Sequence, residues 1–163
     1  MTKTIKKTPA VLMTAIIMAV SLCATAFATG TGNYTINTAA SSNGTEATIE
    51  YSDVDNDFSR VSGENRYGVE LNTFQTGLAT TYTLSFTPSS GAATIVRFCD
   101  KDSTNVIASI TIPKRTSGMP STLTTTVTLD SDCYYAIKMK SNSSTTNTSG
   151  ELIIDGLSGV YYM

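Results

Sequence analysis

The sequence predicts an all-β protein, an antiparallel two-sheet β-sandwich of jelly-roll-like form that follows an N-terminal signal helix. Apolar and polar residues alternate with period two over most of the chain beyond residue 45. Clusters of Gly, Pro, Asn, Asp and Ser separate these alternating runs at short intervals. No helical pattern competes with them, because Thr, Val and Ile dominate wherever apolar residues recur. Regular short strands divided by turns are typical of sandwiches and barrels.

The N-terminal segment has the three parts of a secretory signal peptide. Lys3, Lys6 and Lys7 precede an apolar stretch over 11–26, and small residues follow it. The stretch is shorter than the ~20 residues of a membrane-spanning helix, so we expect cleavage after Ala28, or after Ala26. We therefore predict a bacterial protein that is secreted to the extracellular space or cell surface and has no membrane association after cleavage.

The rest of the chain divides into a loosely ordered lead-in and one sandwich domain. Residues 1–28 are the predicted signal peptide, and residues 29–45 are rich in Gly, Thr, Asn and Ser, with one edge strand. Residues 46–163 form the predicted β-sandwich. Its strands are predicted, in chain order, at 47–51, 67–71, 82–86, 93–99, 106–112, 123–129, 135–139, 151–154 and 160–162.

Composition excludes several classes of function. The chain has no His, so it lacks a Ser-His-Asp or Cys-His pair and any imidazole metal ligand. Its formal net charge is −2, and loss of the signal lysines makes it more acidic, which argues against nucleic acid as a partner. No pair of carboxylates is singled out for glycoside cleavage. The sequence therefore predicts that the protein is not an enzyme, and a small hydrolase is the least favoured hypothesis for its function.

Residues 80–154 contain a sequence pattern that bears on both fold and function. Tyr134-Tyr135 opens a Tyr-Tyr-apolar-Lys-apolar strand, Asp100 ends an earlier strand, and Ser149-Gly150 precedes Glu151-Leu152-Ile153-Ile154. This pattern resembles the pre-peptidase C-terminal domain of exported bacterial enzymes. The resemblance implies a jelly-roll with no catalytic residues and a role in binding carbohydrate or protein surfaces.

Two cysteines remain beyond the signal segment. Cys99 and Cys133 form an even pair in a chain expected in an oxidising compartment, which predicts a disulfide bond. Two buried thiols are the alternative. The facing of Cys99 is ambiguous from the alternation, because either Phe98 or Cys99 can point into the core.

An acidic run offers a candidate calcium site, and no other cofactor is predicted. Asp53, Asp55, Asp57 and Glu64 match the spacing of oxygen ligands in a calcium loop. Phe58 stands where the loop's sharp turn needs Gly, and the flanks are predicted strands. A solvated acidic turn is therefore favoured over calcium bound in another geometry.

Exposed tyrosines are the remaining candidates for ligand contact. Tyr134, Tyr161 and Tyr162 are in strands where neighbouring tyrosines must face opposite ways, so we predict that some lie off the core and stack on a ligand. Partial burial at the sandwich edge is the structural alternative. The sequence therefore favours a secreted, non-catalytic binding module for a glycan or a cell-surface protein. A self-associating structural protein of the cell surface or matrix is the second hypothesis for its function. The sequence does not predict an oligomeric state.

Overall fold

The computed structural model describes residues 30–61, 69–72, 80–100, 105–129, 134–157 and 159–162. Within these ranges the chain is a β-sandwich of two antiparallel sheets, and no helix occurs. In particular, none of the described segments forms an apolar helix of membrane-spanning length. The strands are β1 (Asn33–Ser41), β2 (Gly44–Val54), β3 (Ser59–Arg60), β4 (Val69–Asn72), β5 (Thr80–Phe86), β6 (Thr94–Asp100), β7 (Val106–Ile112), β8 (Leu123–Leu129), β9 (Tyr134–Ser141), β10 (Thr148–Leu157) and β11 (Gly159–Tyr162).

The first sheet, sheet I, has five strands in the order β1-β2-β10-β5-β8. Strand β10 lies at its centre and pairs with β2 on one side and β5 on the other. A register shift separates the pair Thr148↔Val54 from the pair Gly150↔Tyr51, so β2 has one extra residue there. Such a bulge changes the direction of nearby side chains. The bulge of β2 lies at the end of the strand that approaches sheet II.

The second sheet, sheet II, has the order β11-β4-β9-β6-β7, with β3 also paired to β9. Strands β3 and β4 lie against successive parts of the same edge of β9, at Met139 and Lys138 and then at residues 134–136. On its other side β9 pairs with β6 along its whole length, from Thr94↔Ser141 to Asp100↔Tyr135. Strand β7 is an edge strand that pairs with β6.

The core lies between the sheets and is made of the alternate, inward-facing residues of both. Each fully buried aliphatic or aromatic side chain contributes about 1.5–3 kcal/mol to folding. The fully buried core residues include Ile49, Leu84, Leu152 and Ile154 of sheet I and Val96, Phe98, Ile137 and Met139 of sheet II.

The predicted all-β two-sheet sandwich is therefore confirmed, and most predicted strands are present with small shifts at their ends. The lead-in contains the expected edge strand, but this strand pairs with β2 from Asn33 to Ser41, so the sandwich begins before the predicted boundary at residue 46. Strand β3 was not expected, because two residues show no periodicity. The predicted signal segment, 1–28, lies outside the described residues.

One end of the core contains a buried network of hydroxyl groups. The Thr94 Oγ1 atom lies 3.1 Å from Tyr51 Oη, 2.7 Å from Ser89 Oγ and 2.7 Å from Thr148 Oγ1. Thr148 Oγ1 donates onward to the Ala92 carbonyl at 2.8 Å. Ser89, Thr94 and Thr148 are fully buried. Burial raises the pKa of Tyr51, so its phenol stays neutral. The network joins β2 and β10 of sheet I to β6 of sheet II.

We expect the substitution Thr94→Val to lower the free energy of unfolding by about 1–3 kcal/mol, because it keeps the volume but leaves three buried hydroxyls without their common partner. Thr126 on the exposed face of β8 is the matched control, and Thr126→Val should change stability by less than about 0.5 kcal/mol. Urea denaturation measures both values. Equal effects of the two substitutions would contradict a structural role for the network.

Candidate functional site

An open groove runs along the beginning of β1, where sheet I approaches β3 of sheet II. It has two adjoining depressions, of about 460 and 370 Å³, which share Asn33 and Tyr34 as lining residues. We call it the β1 groove. Gly30, Thr31, Gly32, Asp53, Ser59 and Arg60 complete the first depression, and Thr35, Glu50, Tyr51, Ser52 and Gly150 complete the second.

Two glycines allow the chain before β1 to lie close against the sandwich. A Cβ atom at Gly30 would lie 2.0 Å from the Asp57 carbonyl oxygen, and one at Gly32 would lie 2.8 Å from Tyr34 Oη. A side chain at residue 30 would collide with the backbone, and one at residue 32 would force the Tyr34 side chain to shift. The two glycines therefore set the floor of the groove by letting the backbone approach the 55–57 turn and the Tyr34 ring.

Tyr34 connects the two sheets at the groove. Its hydroxyl group forms a hydrogen bond with Ser59 Oγ in β3 of sheet II, while its ring packs against the edge of the core. Burial raises the pKa of Tyr34 to about 12, and the nearby Asp55 carboxylate adds to this rise. The phenol is therefore neutral at any physiological pH and acts as a hydrogen-bonding group rather than as an acid or a base.

Asp53 is the described non-glycine residue with a left-handed backbone, at φ 55°. It lies within the β2 bulge, and its backbone amide donates to Ser149 Oγ at 3.3 Å. Its carboxylate is exposed and accepts a hydrogen bond from the Asn33 side-chain amide at 3.4 Å. Residues in this backbone region cost free energy and often mark functional sites, although Asp tolerates it better than most. The bulge thus presents a carboxylate and an amide side by side in the groove.

Asp55 makes structural contacts instead. Its Oδ2 atom accepts hydrogen bonds from the Thr31 backbone amide and the Thr31 hydroxyl, both at 2.9 Å, and its Oδ1 accepts from the Asp57 amide at 3.0 Å. The Thr31 backbone amide is the largest cause that holds the pKa of Asp55 below its ordinary value of 3.8. Asp55 therefore anchors the chain before β1 and shapes the 55–57 turn.

These contacts bear on the predicted calcium ligands. The Asp53 carboxylate accepts a hydrogen bond from Asn33, and the Asp55 carboxylate accepts one from Thr31, so the two carboxylates have different partners. In the described ranges, no group of three or more His, Cys, Asp or Glu side chains is arranged to hold a metal ion. Glu64, the fourth predicted ligand, lies outside those ranges, and calcium binding stays a prediction.

The structure describes the predicted stacking tyrosines only in part. The backbones of Tyr134 in β9 and of Tyr161 and Tyr162 in β11 are placed in sheet II, opposite Asn72, Glu70 and Val69 respectively. Their side chains lie outside what is described, so their contact with a ligand stays a prediction.

Phe98, and not Cys99, belongs to the core cluster between the sheets. Cys99 is on the other face of β6 and is nevertheless only 2 % exposed. A register shift between β6 and β7 falls between these two residues. In the structure Cys99 is a free, buried thiol. Cys133 lies outside the described residues, and the disulfide stays a prediction.

Sequence reasoning did not find the residues of the β1 groove other than Asp53. Asn33, Tyr34 and Arg60 lie in segments of weak or very short alternation, and they meet only through strand pairing. The available signal was the pair of glycines at 30 and 32 immediately before an aromatic residue.

No protein-family model matches the chain, and no curated protein matches it. Among solved structures, the chain is similar to a carbohydrate-binding module of lichenase 5A from Cellvibrio mixtus, in complex with cellotriose, with a TM-score of 0.38 and 19% sequence identity. The similarity covers 77% of this chain and 86% of that chain.

The Asp55 anchor gives a pH-dependent prediction. Because the pKa of Asp55 is depressed in the folded state, its contribution to stability is complete above its ordinary value of 3.8 and is lost as the pH falls through the folded-state value. We expect Asp55→Asn to destabilise the protein at neutral pH and the difference from wild type to shrink below about pH 4. Thermal unfolding of both proteins from pH 7 to pH 2 measures this. Asp57→Asn is the control, and a difference that does not depend on pH would contradict the anchor.

Proposed function

We propose that the chain is a secreted, non-catalytic binding module whose ligand is a glycan held in the β1 groove. The observation that carries the proposal is Asp53, which a bulge and a left-handed backbone hold beside Asn33 at the surface of an open groove. Strain of this kind persists only where the surrounding structure determines it. Its effect here is to fix a carboxylate and an amide in one place.

The chemistry of the groove suits a sugar. Carboxylates accept two or more hydrogen bonds, and side-chain amides both donate and accept, so together they can satisfy neighbouring sugar hydroxyl groups. The partly buried Tyr34 ring supplies an apolar wall, and the guanidinium group of Arg60, which already has another interaction, contributes a positive charge to the lining. Binding sites combine a shaped surface with a few well-placed polar groups in this way.

Two further features support the non-catalytic and secreted parts of the proposal. The absence of His from the whole chain removes the commonest general base, and the neutral Tyr34 is the phenol that lines the first depression. The lysines and apolar stretch at 3–26 followed by Ala28 support export. A cell-surface protein is the other ligand class, and the binding experiment below separates it from a glycan.

The test is retention of the protein, purified from culture medium, by a panel of immobilised neutral and acidic polysaccharides. We expect at least one polysaccharide to retain it, and Asp53→Asn to weaken that binding by roughly tenfold or more, because a hydrogen bond to a charged group is lost. Asn33→Ala should weaken binding as well. Asp57→Asn removes the same charge outside the groove and should bind like wild type.

Two results would count against the glycan. The first is a lack of retention by every polysaccharide, with capture of a cell-surface protein instead. The second is equal binding by Asp53→Asn and Asp57→Asn, which would place the ligand elsewhere on the sandwich.

A second function, self-association as a structural protein, is favoured by the edge strand β7. This strand reads VIASITI, with no charge and no Pro, and its Val106 and Ile107 are 40% and 39% exposed. Natural sandwiches usually protect such edges with charges, prolines or bulges, because an open edge can pair with a strand of another copy. The register shift at Phe98/Cys99 is a modest protection of this kind.

For this second function we expect wild-type protein to elute from size-exclusion columns at a volume that depends on concentration. Ile107→Lys should convert it to a monomer, because a lysine on an edge strand opposes strand pairing between copies. Thr126→Lys on the β8 edge is the matched control. A wild-type protein that stays monomeric at every concentration would rule out assembly through β7.

A further inference from the structure

Four of the basic residues collect on the outer face of sheet II, which we call the basic face: Arg60, Arg97, Lys138 and Lys140. Lys138 of β9 is the Cα partner of Arg60 in β3 and of Arg97 in β6. Three cations thus lie directly opposite one another on three neighbouring strands. Strands are ~4.8 Å apart, so this row spans about 10 Å.

The ring of Phe58 contacts the charged ends of two of these side chains, Arg97 and Lys140. The Arg97 guanidinium carbon lies 3.9 Å from the centre of the ring, and the Lys140 ammonium nitrogen lies 5.2 Å from it. Both distances are in the range of cation–π attraction. Phe58 therefore holds two cations from different strands in one place at a partly exposed position.

This arrangement concentrates like charge. Like charges directly opposite on neighbouring strands are destabilising. In the part of the chain that the structure describes, the contacts of Arg97 and Lys140 are with Phe58, and no carboxylate pairs with Arg97, Lys138 or Lys140. Glu50 and Glu151 are Cα partners of each other in sheet I, away from the basic face. Sheet II also contains Glu70 in β4 and Asp100 in β6, so the excess of positive charge is confined to the four residues of the basic face. The repulsion within that face is what an external anion would relieve.

We propose that the basic face binds an acidic polysaccharide, whose sulfate or carboxylate groups contact Arg97, Lys138 and Lys140. This inference rests on the proposed glycan-binding function and names the class of its ligand. Arg60 connects the two regions, because it lines the β1 groove and is also opposite Lys138. A polymer in the groove therefore continues onto the basic face, where the guanidinium fork of Arg97 matches a planar carboxylate or a sulfate.

The short row favours a polysaccharide over a nucleic acid. Duplex DNA carries a charge about every 1.7 Å along its axis, and a row that spans about 10 Å would leave most of these charges without partners. The rest of the protein is acidic and repels them, since the net charge is −2 even with the N-terminal lysines included. A polymer with one anionic group per sugar or less meets less of this repulsion.

The experiment compares three polymers with one backbone: dextran, and carboxymethyl dextran and dextran sulfate that each carry at most one anionic group per sugar. We expect one or both acidic polymers to bind more tightly than dextran, with an affinity that falls as sodium chloride rises. The double variant K138Q/K140Q should weaken this binding by at least about tenfold, since it removes two charge-assisted contacts. The matched control K114Q/R115Q removes two exposed cations from the β7–β8 connection and should change affinity by less than about twofold.

The carboxymethyl and sulfate polymers distinguish the two kinds of anionic group. Equal binding of all three dextrans, or equal loss in the two double variants, overturns the inference, while the proposed function survives if the Asp53 panel still shows retention. Duplex DNA that binds as tightly as the acidic polymers overturns it, because the face then recognises charge alone. Self-association that K138Q/K140Q abolishes, without any polymer binding, overturns it in favour of a contact between copies.

Discussion

The rest of the structure depends on the buried hydroxyl network around Thr94. Apolar packing between two sheets is strong but not directional, so it specifies their relative position less sharply than hydrogen bonds do. Hydrogen bonds among buried groups are directional, and a missing partner is costly. By linking β2, β6 and β10 at one point, Thr94 fixes the relative position of the sheets. The nearby Tyr34–Ser59 contact joins the same two sheets beside the β1 groove.

The candidate ligand surfaces follow from that fixed position. The groove exists because β1 is held near β3, and its polar groups converge because a bulge redirects Asp53. The basic face exists because β3, β9 and β6 are in register, which no one of these strands determines alone. Both surfaces are therefore products of pairing between distant segments. Arg60 belongs to each, so the two candidate surfaces adjoin on one side of the molecule.

The sequence was informative wherever alternation was long. The strand at 106–112 was predicted with the bounds that the structure has, since apolar residues recur at every second position from Val106 to Ile112, and Ile107 is the one departure from the alternation. Alternation does not show which strands pair when they are far apart in the sequence. The alternation places Lys138 and Lys140 on one face of β9, yet nothing in it says that Arg97 and Arg60 lie opposite. Asp55 looked like a turn residue or a metal ligand, because its partner Thr31 is 24 positions away.

The central position of β10 also constrains how the chain reaches its native state. Sheet I cannot be completed before residues 148–157 are available, because β10 separates β2 from β5. The β1–β2 turn is joined to β10 through a hydrogen bond between Asn43 and Asp155, which are 112 positions apart. Contacts of such high sequence separation slow folding, since the loop entropy is lost before the contacts form. During synthesis, β2 can pair with β1 and β5 with β8, but the other edge of each strand stays open until β10 is made. The chain therefore depends on its last strands for protection against aggregation.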